Sequence, residues 1–187
     1  MDIYSLRTGD IVLFSGRGFI PRVIQLLTLS KWSHCGIIIN DDPNHPFPLL
    51  YESTNDSSII GLDLGRTNRG VQIVPFEERL SMYKGNVAIR RVQNPDYSKR
   101  SRLREYRKTV VGTPFEEDIR QILGSAPLFK FLRKGRDLTT IFCSEHVAEA
   151  YMALGWLCNC RPSNWFIPKY FAKVIILLNG VSLGPIL

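Results

Sequence analysis

The sequence predicts an α+β fold: an antiparallel sheet drawn from the first half of the chain, packed with helices drawn from the second. Three observations carry this. Short apolar and β-branched runs bounded by turn residues fall between residues 9 and 92. Helical patterns dominate from residue 97 onward. The strand-like runs 34–40 and 48–54 are joined by DDPNHPF, a connection dense in turn formers, which makes them an antiparallel hairpin.

In chain order, GDIVLF (9–14) follows a turn residue and reads as a strand. IPRVIQLLTLS (20–30) reads as a short helix that tolerates Pro21 in its first turn. HCGIIIN (34–40) and LLYEST (49–54) are strands, and the polar, glycine-bearing stretch 55–70 is a long surface loop. VQIVP (71–75) and NVAIRRV (86–92) are further strands, with a helical turn, FEERLSMY, between them. A basic helix covers 97–111 and stops near Gly112. A second short helix is expected over 115–124, irregular chain over 124–137, and a helix over 143–155 stopped by Gly155. The tail VIILLNGVSLGPIL, broken by Gly180 and Pro185, reads as a core strand and a closing tail rather than an anchor.

A chain of 187 residues, 44% hydrophobic and 22% charged, suits one globular domain over 1–187. Four cysteines, Cys35, Cys143, Cys158 and Cys160, are too few and too unevenly spread for a disulfide scaffold. The start MDIYSLRTGDIVLF lacks a basic segment followed by a long apolar run. Together these point to a reducing, cytoplasmic setting with free thiols. The net charge is +7, much of it in YSKRSRLREYRK (97–108). That segment is either a solvated helix face or a patch drawn to an anionic surface, placing the protein at the membrane periphery. Few aromatics interleave the charges and no nucleic-acid motif is present, so nucleic acid is not the expected partner.

The stretch TTIFCSEHVAEAYMALG (139–155) poses the chemical question, because it sets Cys143 where an apolar run becomes a helix. An isolated helical cysteine is usually a small buried apolar residue. A helix N-terminus, however, favours a thiolate, and the small and polar neighbours Ser144 and Glu145 leave that end accessible. A thiolate nucleophile needs an imidazole partner. His45 sits in a proline-rich turn and is expected in solvent. His146 neighbours Cys143 on its own helix at i, i+3 and reads equally as a packing residue. His34 opens a buried strand, where its ring nitrogens need partners. Hairpin geometry makes opposed residues of 34–40 and 48–54 sum to about 86–88, which brings His34 opposite Glu52 or one position away. Glu52 is then either the carboxylate that orients His34 or an edge-strand charge facing water. A zinc site built from His34, Cys35, Cys143, His146, Cys158 and Cys160 lacks the paired ligand spacing of structural sites, so no metal is expected.

Taken in order, TGDIVLF, WSHCGIII, YEST and FCSEHVAEAY resemble the circularly permuted NlpC-type papain-like cysteine hydrolases, in their YiiX-like branch. VVGTPFEED (110–118) is similar to the G-x-P-Y/F-D/E segment that precedes the nucleophile helix in that group. The resemblance runs from Thr8 to Tyr151, with the histidine strand before the cysteine helix, the permuted order. It implies a permuted papain-like fold with the nucleophile at the N-terminus of a late helix. It also implies hydrolysis or acyl transfer at an amide or ester carbonyl through a thioester. Carried over by position, Cys143 is the nucleophile, His34 the base and Glu52 the orienting acid. Trp32 and Ser33 flank the base and shape the cleft, unless Trp32 is core, and Tyr51 is a further cleft residue. No metal or organic cofactor is implied. The lecithin:retinol acyltransferase-like group shares the order but has C-E-H where this chain has C-S-E-H. The expected substrate is a peptide or a lipid-acyl group, the latter suggested also by the apolar APLFKFL (126–132). The competing expectation is a non-catalytic lipid- or peptide-binding module that retains the fold.

Overall fold

Residues 2–116, 141–173 and 175–187 are described by the structure, a computed structural model. Among them, six strands form one antiparallel sheet in the order β6-β3-β2-β1-β7-β8. The strands are β1 (Ile11–Gly16), β2 (His34–Ile39), β3 (Leu49–Thr54), β6 (Gly70–Pro75), β7 (Gly85–Gln93) and β8 (Ser182–Ile186). The helices are α1 (Phe19–Thr28), α2 (Phe76–Met82), α3 (Arg100–Val110), α4 (Cys143–Ala153) and α5 (Pro168–Ala172).

The strands read as unbroken apolar runs because both sheet faces are covered. On one face Ile11, Leu13, Cys35, Ile37, Leu49, Tyr51 and Ile73 form a core with Val147, Ala148, Ala150 and Tyr151 of α4. On the other, Val12, Phe14, Ile38, Leu50 and Val74 pack with Leu6 and with Phe76 of α2. From Cys143 to Tyr151 every residue of α4 is buried, as expected of a helix enclosed on all sides.

Register decides what meets across the hairpin. Ile37 opposes Tyr51, Ile38 opposes Leu50 and Ile39 opposes Leu49, the upper end of the expected window. Continued past Ile37, this register sets Glu52 opposite Gly36 and Thr54 opposite His34, so Glu52 stands two positions from the residue facing His34, not opposite it or one away as expected. His34 and Glu52 are therefore diagonal neighbours on one face, within reach of long side chains. Gly36 makes this possible: a Cβ there would lie 2.8 Å from Leu50 Cδ1 and 3.2 Å from Glu52 Cβ.

The basic helix starts at Arg100, later than expected, because the Asp96 carboxylate accepts from the Ser98 N–H and holds the preceding chain in a turn. The stretch 55–70 contains a small hairpin, β4 (Ile60–Gly61) with β5 (Arg66–Thr67), reversed at Gly65, whose φ is +64°. In the tail, the strand is Ser182–Ile186, paired to the outer edge of β7, and residues 175–178 are not the strand: Ile176 is 82% exposed. Pro114 and Phe115 make isolated bridges to Gly70 and Ile141, so residues 114–116 are not helical. The rest of the expected 115–124 helix, the 124–137 stretch and APLFKFL lie outside the described residues.

Candidate active site

Three elements converge at the site. β2 begins with His34, β3 carries Glu52, and α4 begins with Cys143. The lead-in to α4 is pinned from both sides: Ser53 Oγ donates to the Ile141 carbonyl, and the Ile141 N–H donates to Pro114 O at 3.0 Å. Phe142 caps the helix in an extended conformation. Its N–H reaches the Glu145 carboxyl, half of a capping box. Ser144 Oγ donates to Phe166 O at 2.8 Å, tying the first turn to the chain before α5.

His34 Nε2 lies 2.5 Å from Glu52 Oε2. That contact leaves Nδ1 as the ring nitrogen available to the thiol. Glu52 is fully buried and is held also by Arg79, whose Nε lies 2.9 Å from Oε1, a close ion contact off the hydrogen-bond direction. Arg79 continues to Asp56, with Nη1 donating at 2.7 Å, and its guanidinium lies 5.6 Å from each of the Phe14 and Tyr83 ring centroids. Charges thus alternate from the buried sulfur to the half-exposed Asp56.

This alternation sets the protonation states. Burial alone would depress the His34 imidazole, but the Cys143 sulfur and then Glu52 raise it to about 9. Hydrogen bonding from the Cys35 thiol is the largest influence on Cys143; with the His34 charge it overcomes burial and holds the Cys143 thiol well below its ordinary value. Burial pushes the Cys35 thiol upward, so of the two sulfurs Cys35 keeps its proton. Burial works against ionisation of Glu52, and Arg79 followed by His34 more than offset it, so its carboxyl sits below the ordinary range. The directions of these shifts favour a thiolate–imidazolium pair with a carboxylate behind it, an arrangement chemically suited to attack an electrophilic carbon.

A cavity of about 590 Å³ opens onto Cys143 and His34. Ser33 lines it, and the Ser33 Oγ accepts from the Gly16 N–H at 3.1 Å. Contrary to expectation, Trp32 and Tyr51 do not line it. Trp32 is buried in the core under Lys31, whose amine lies 4.8 Å from its ring. Tyr51 alternates with Glu52 along β3, so its ring enters the core beneath α4 when Glu52 faces His34. There it meets His146 edge-on at 4.1 Å. His146 itself is fully buried away from the cavity, with Nδ1 3.1 Å from Tyr106 Oη, and burial depresses its imidazole to about 3. His45 is half-buried rather than free in solvent, with Nδ1 3.5 Å from Asp42.

Sequence reasoning missed Cys35, Ser53, Arg79 and Asp56. For Arg79 a signal existed: in FEERL it falls at i+3 from the buried Phe76, a cation on an apolar stripe. The Asp of the GDI strand, by contrast, is structural. Asp10 is buried, and its carboxylate accepts from the N–H groups of Arg7 and Val92.

Comparison with known proteins identifies the family. Residues 5–160 match the family described as permuted papain-like amidase enzymes, YaeF/YiiX, C92, and the chain belongs to that family. The match carries the permuted papain-like fold with it. Among solved structures it is similar to the metalloprotein yiiX from Escherichia coli O157:H7, at 21% identity and a TM-score of 0.54, over 79% of this chain and 65% of that one. The chain thus spans less than two thirds of that protein, and the likeness concerns the fold. A comparison with curated proteins finds no match. Among the described residues no three His, Cys, Asp or Glu side chains converge to hold a metal ion. At the cavity the donors are already engaged with one another, His34 with Glu52 and Cys143 with Cys35.

Proposed function

We propose that Cys143 is the nucleophile of a hydrolase or acyltransferase acting on an amide or ester carbonyl, with His34 as acid–base partner and Glu52 as the orienting carboxylate. The observation that supports this most is the His34–Glu52 contact of 2.5 Å beside a thiol held well below its ordinary value. The Cys143 thiolate attacks the carbonyl carbon, forming a C–S bond while the carbonyl electrons move onto oxygen. Backbone N–H groups at the start of α4 stabilise that oxyanion. The intermediate collapses, the bond to the amine or alcohol breaks, and His34 gives its proton to the leaving group. A water, or an acceptor hydroxyl or amine, then attacks the thioester while His34 takes its proton, and the thiolate leaves. Glu52 fixes the ring by holding Nε2, and Arg79 keeps Glu52 ionised.

Intact-protein mass spectrometry after exposure to an activated short-chain acyl ester tests this. The protein should gain one acyl mass that maps to Cys143 and is released by hydroxylamine. Iodoacetamide at neutral pH should label Cys143 ahead of Cys35, Cys158 and Cys160. Acylation spread over all four thiols, or none at Cys143, would sink the proposal.

A further inference from the structure

The helix α1 has an outer face of unusual composition. A helix on the surface of a globular protein normally turns a polar stripe to water. In α1 and its cap, residues 19, 22, 26 and 29 lie at i, i+3, i+7 and i+10, and they are Phe, Arg, Leu and Leu. Phe19 is 80% exposed, Leu26 75% and Leu29 71%. Leu29 is also the C-cap, with φ +49°, in the left-handed region where glycine belongs. A leucine there strains the backbone, and its exposed side chain gains no packing within the chain to offset that strain.

Along the segment that carries this stripe, the charge has one sign. From Ile11 to Asn40 the sequence holds no Asp or Glu, and its cations Arg17, Arg22 and Lys31 are all exposed. The basic helix α3, the obvious candidate for an anionic partner, is different. Arg100 and Arg104 each lie 3.7 Å from Asp41, Arg107 lies 3.0 Å from Asp42, and Lys108 lies 2.8 Å from Glu105. Finally, the opposite stripe of α1, Ile20 and Ile24, forms a wall of the cavity that holds Cys143 and His34. Gln25 fastens the helix to the body by donating to the carbonyls of Gly16 and Lys31.

We infer that α1 is a membrane-docking helix: Phe19, Leu26 and Leu29 enter the headgroup–acyl boundary of an anionic phospholipid bilayer, and Arg17, Arg22 and Lys31 engage its headgroups. Among the described residues no helix is long and apolar enough to cross a membrane, so α1 lies along the surface. Because its other stripe lines the cavity, docking sets the cavity mouth against the lipid. The docking itself does not rest on the Cys143 chemistry and is read in Cys143→Ala protein. A membrane acyl group as substrate does rest on it.

Vesicle co-sedimentation of the whole chain tests the docking. Phosphatidylcholine vesicles containing phosphatidylserine should carry Cys143→Ala protein into the pellet, and vesicles of phosphatidylcholine alone, or added salt, should weaken binding. Leu26→Ser and Leu29→Gly should each weaken partitioning about tenfold, the scale of a large apolar side chain withdrawn from an apolar phase. Arg22→Glu should weaken it at least about fivefold. Leu29→Gly should also melt no lower than the parent, because it relieves the strained cap, so lost binding cannot be assigned to unfolding. Charge reversal at Arg100 and Arg104 should leave binding nearly unchanged. In otherwise native protein, the α1 variants should keep the iodoacetamide reactivity of Cys143, which separates this inference from the catalytic one. Parent protein left in the supernatant by all vesicles would overturn it. So would α1 variants that bind like the parent, or a concentration-dependent dimer that the α1 variants abolish.

Discussion

Replacing His34 with Ala tests the charge pair at the site most directly, because it removes the cation and leaves the thiol. Raising the imidazole from its ordinary 6.5 to about 9 corresponds to roughly 3 kcal/mol of preference for the imidazolium, net of burial. Such coupling is reciprocal within each pair: the part that the Cys143 sulfur contributes to raising His34 is what His34 contributes to the Cys143 thiolate. In the parent, alkylation of Cys143 by iodoacetamide should stay fast well below the ordinary cysteine range and change again near pH 9, where the ring loses its proton. A thiol returned to the ordinary range would be ionised to roughly one part in several hundred near pH 6. Cys35 still donates in the variant, so the expected loss is smaller, about 10- to 100-fold near pH 6. At high alkaline pH the thiol ionises unaided, and the two proteins should react within about threefold of each other. The rate of carbamidomethylation at Cys143, read by peptide mass spectrometry across pH, supplies the profile. Coincident profiles for parent and variant would refute the ion pair.

Three further outcomes follow from the same contacts. Cys35→Ala should move the Cys143 ionisation upward, whereas Cys35→Ser, which keeps a donor, should leave it low; the same alkylation profile decides, and an upward shift in both would mean a packing effect. Glu52→Gln leaves the buried Arg79 without one of its two anions and should cost about 3 kcal/mol in denaturant unfolding at neutral pH. Because the Glu52 carboxyl is depressed in the fold, its contribution is present above its unfolded value and lost as acid protonates it, so the gap between the two proteins should close in acid. Glu145 is the opposite case: burial, and then Glu149, push its carboxyl up to about 8. Stability linked to it is full below the unfolded value near 4.5 and falls as pH rises toward 8. Glu145→Gln should therefore match the parent in acid and melt higher at mildly alkaline pH, and a variant that melts lower there would overturn the assignment.

How much of this was legible in the sequence depended on the range over which each feature is encoded. The hairpin that joins His34 to Glu52 is local. DDPNHPF gives the reversal, the β-branched run gives the strand, and period-two alternation limits the register to a few choices. The stops at Gly112 and Gly155 are equally local, since each adopts a left-handed backbone, φ +79° and +73°. Trp32 and Tyr51 were misplaced because alternation says which residues share a face but not which face carries the cavity. The tail strand was misplaced because hydrophobicity marks VIILL, whereas pairing follows what β7 leaves open at its edge. Cys35 and Ser53 lie beyond such reasoning, because their partners are 108 and 88 positions away in the chain at Cys143 and Ile141; for Arg79 the apolar stripe of FEERL marks a buried cation but not its partner Glu52, 27 positions away.

The arrangement of those distant partners has a consequence of its own. A buried thiolate, imidazolium, carboxylate and guanidinium each cost free energy to remove from water, and none of them is viable alone in the interior. In sequence from Cys143 through His34, Glu52 and Arg79 to Asp56, every charge has neighbours of opposite sign, and only the last, 43% exposed, is well solvated. A single truncation inside this line strands a charge on each side of it. Loss of Arg79 would leave Glu52 with His34 as its remaining cation, which would favour transfer of the proton to the carboxylate and weaken the hold on the thiolate. Arg79 touches neither Cys143 nor its leaving group in the proposed reaction, yet it maintains the charge state on which that reaction depends. The residue is thus a positioning group for the site even though it stands on α2, a helix that contributes neither nucleophile nor base.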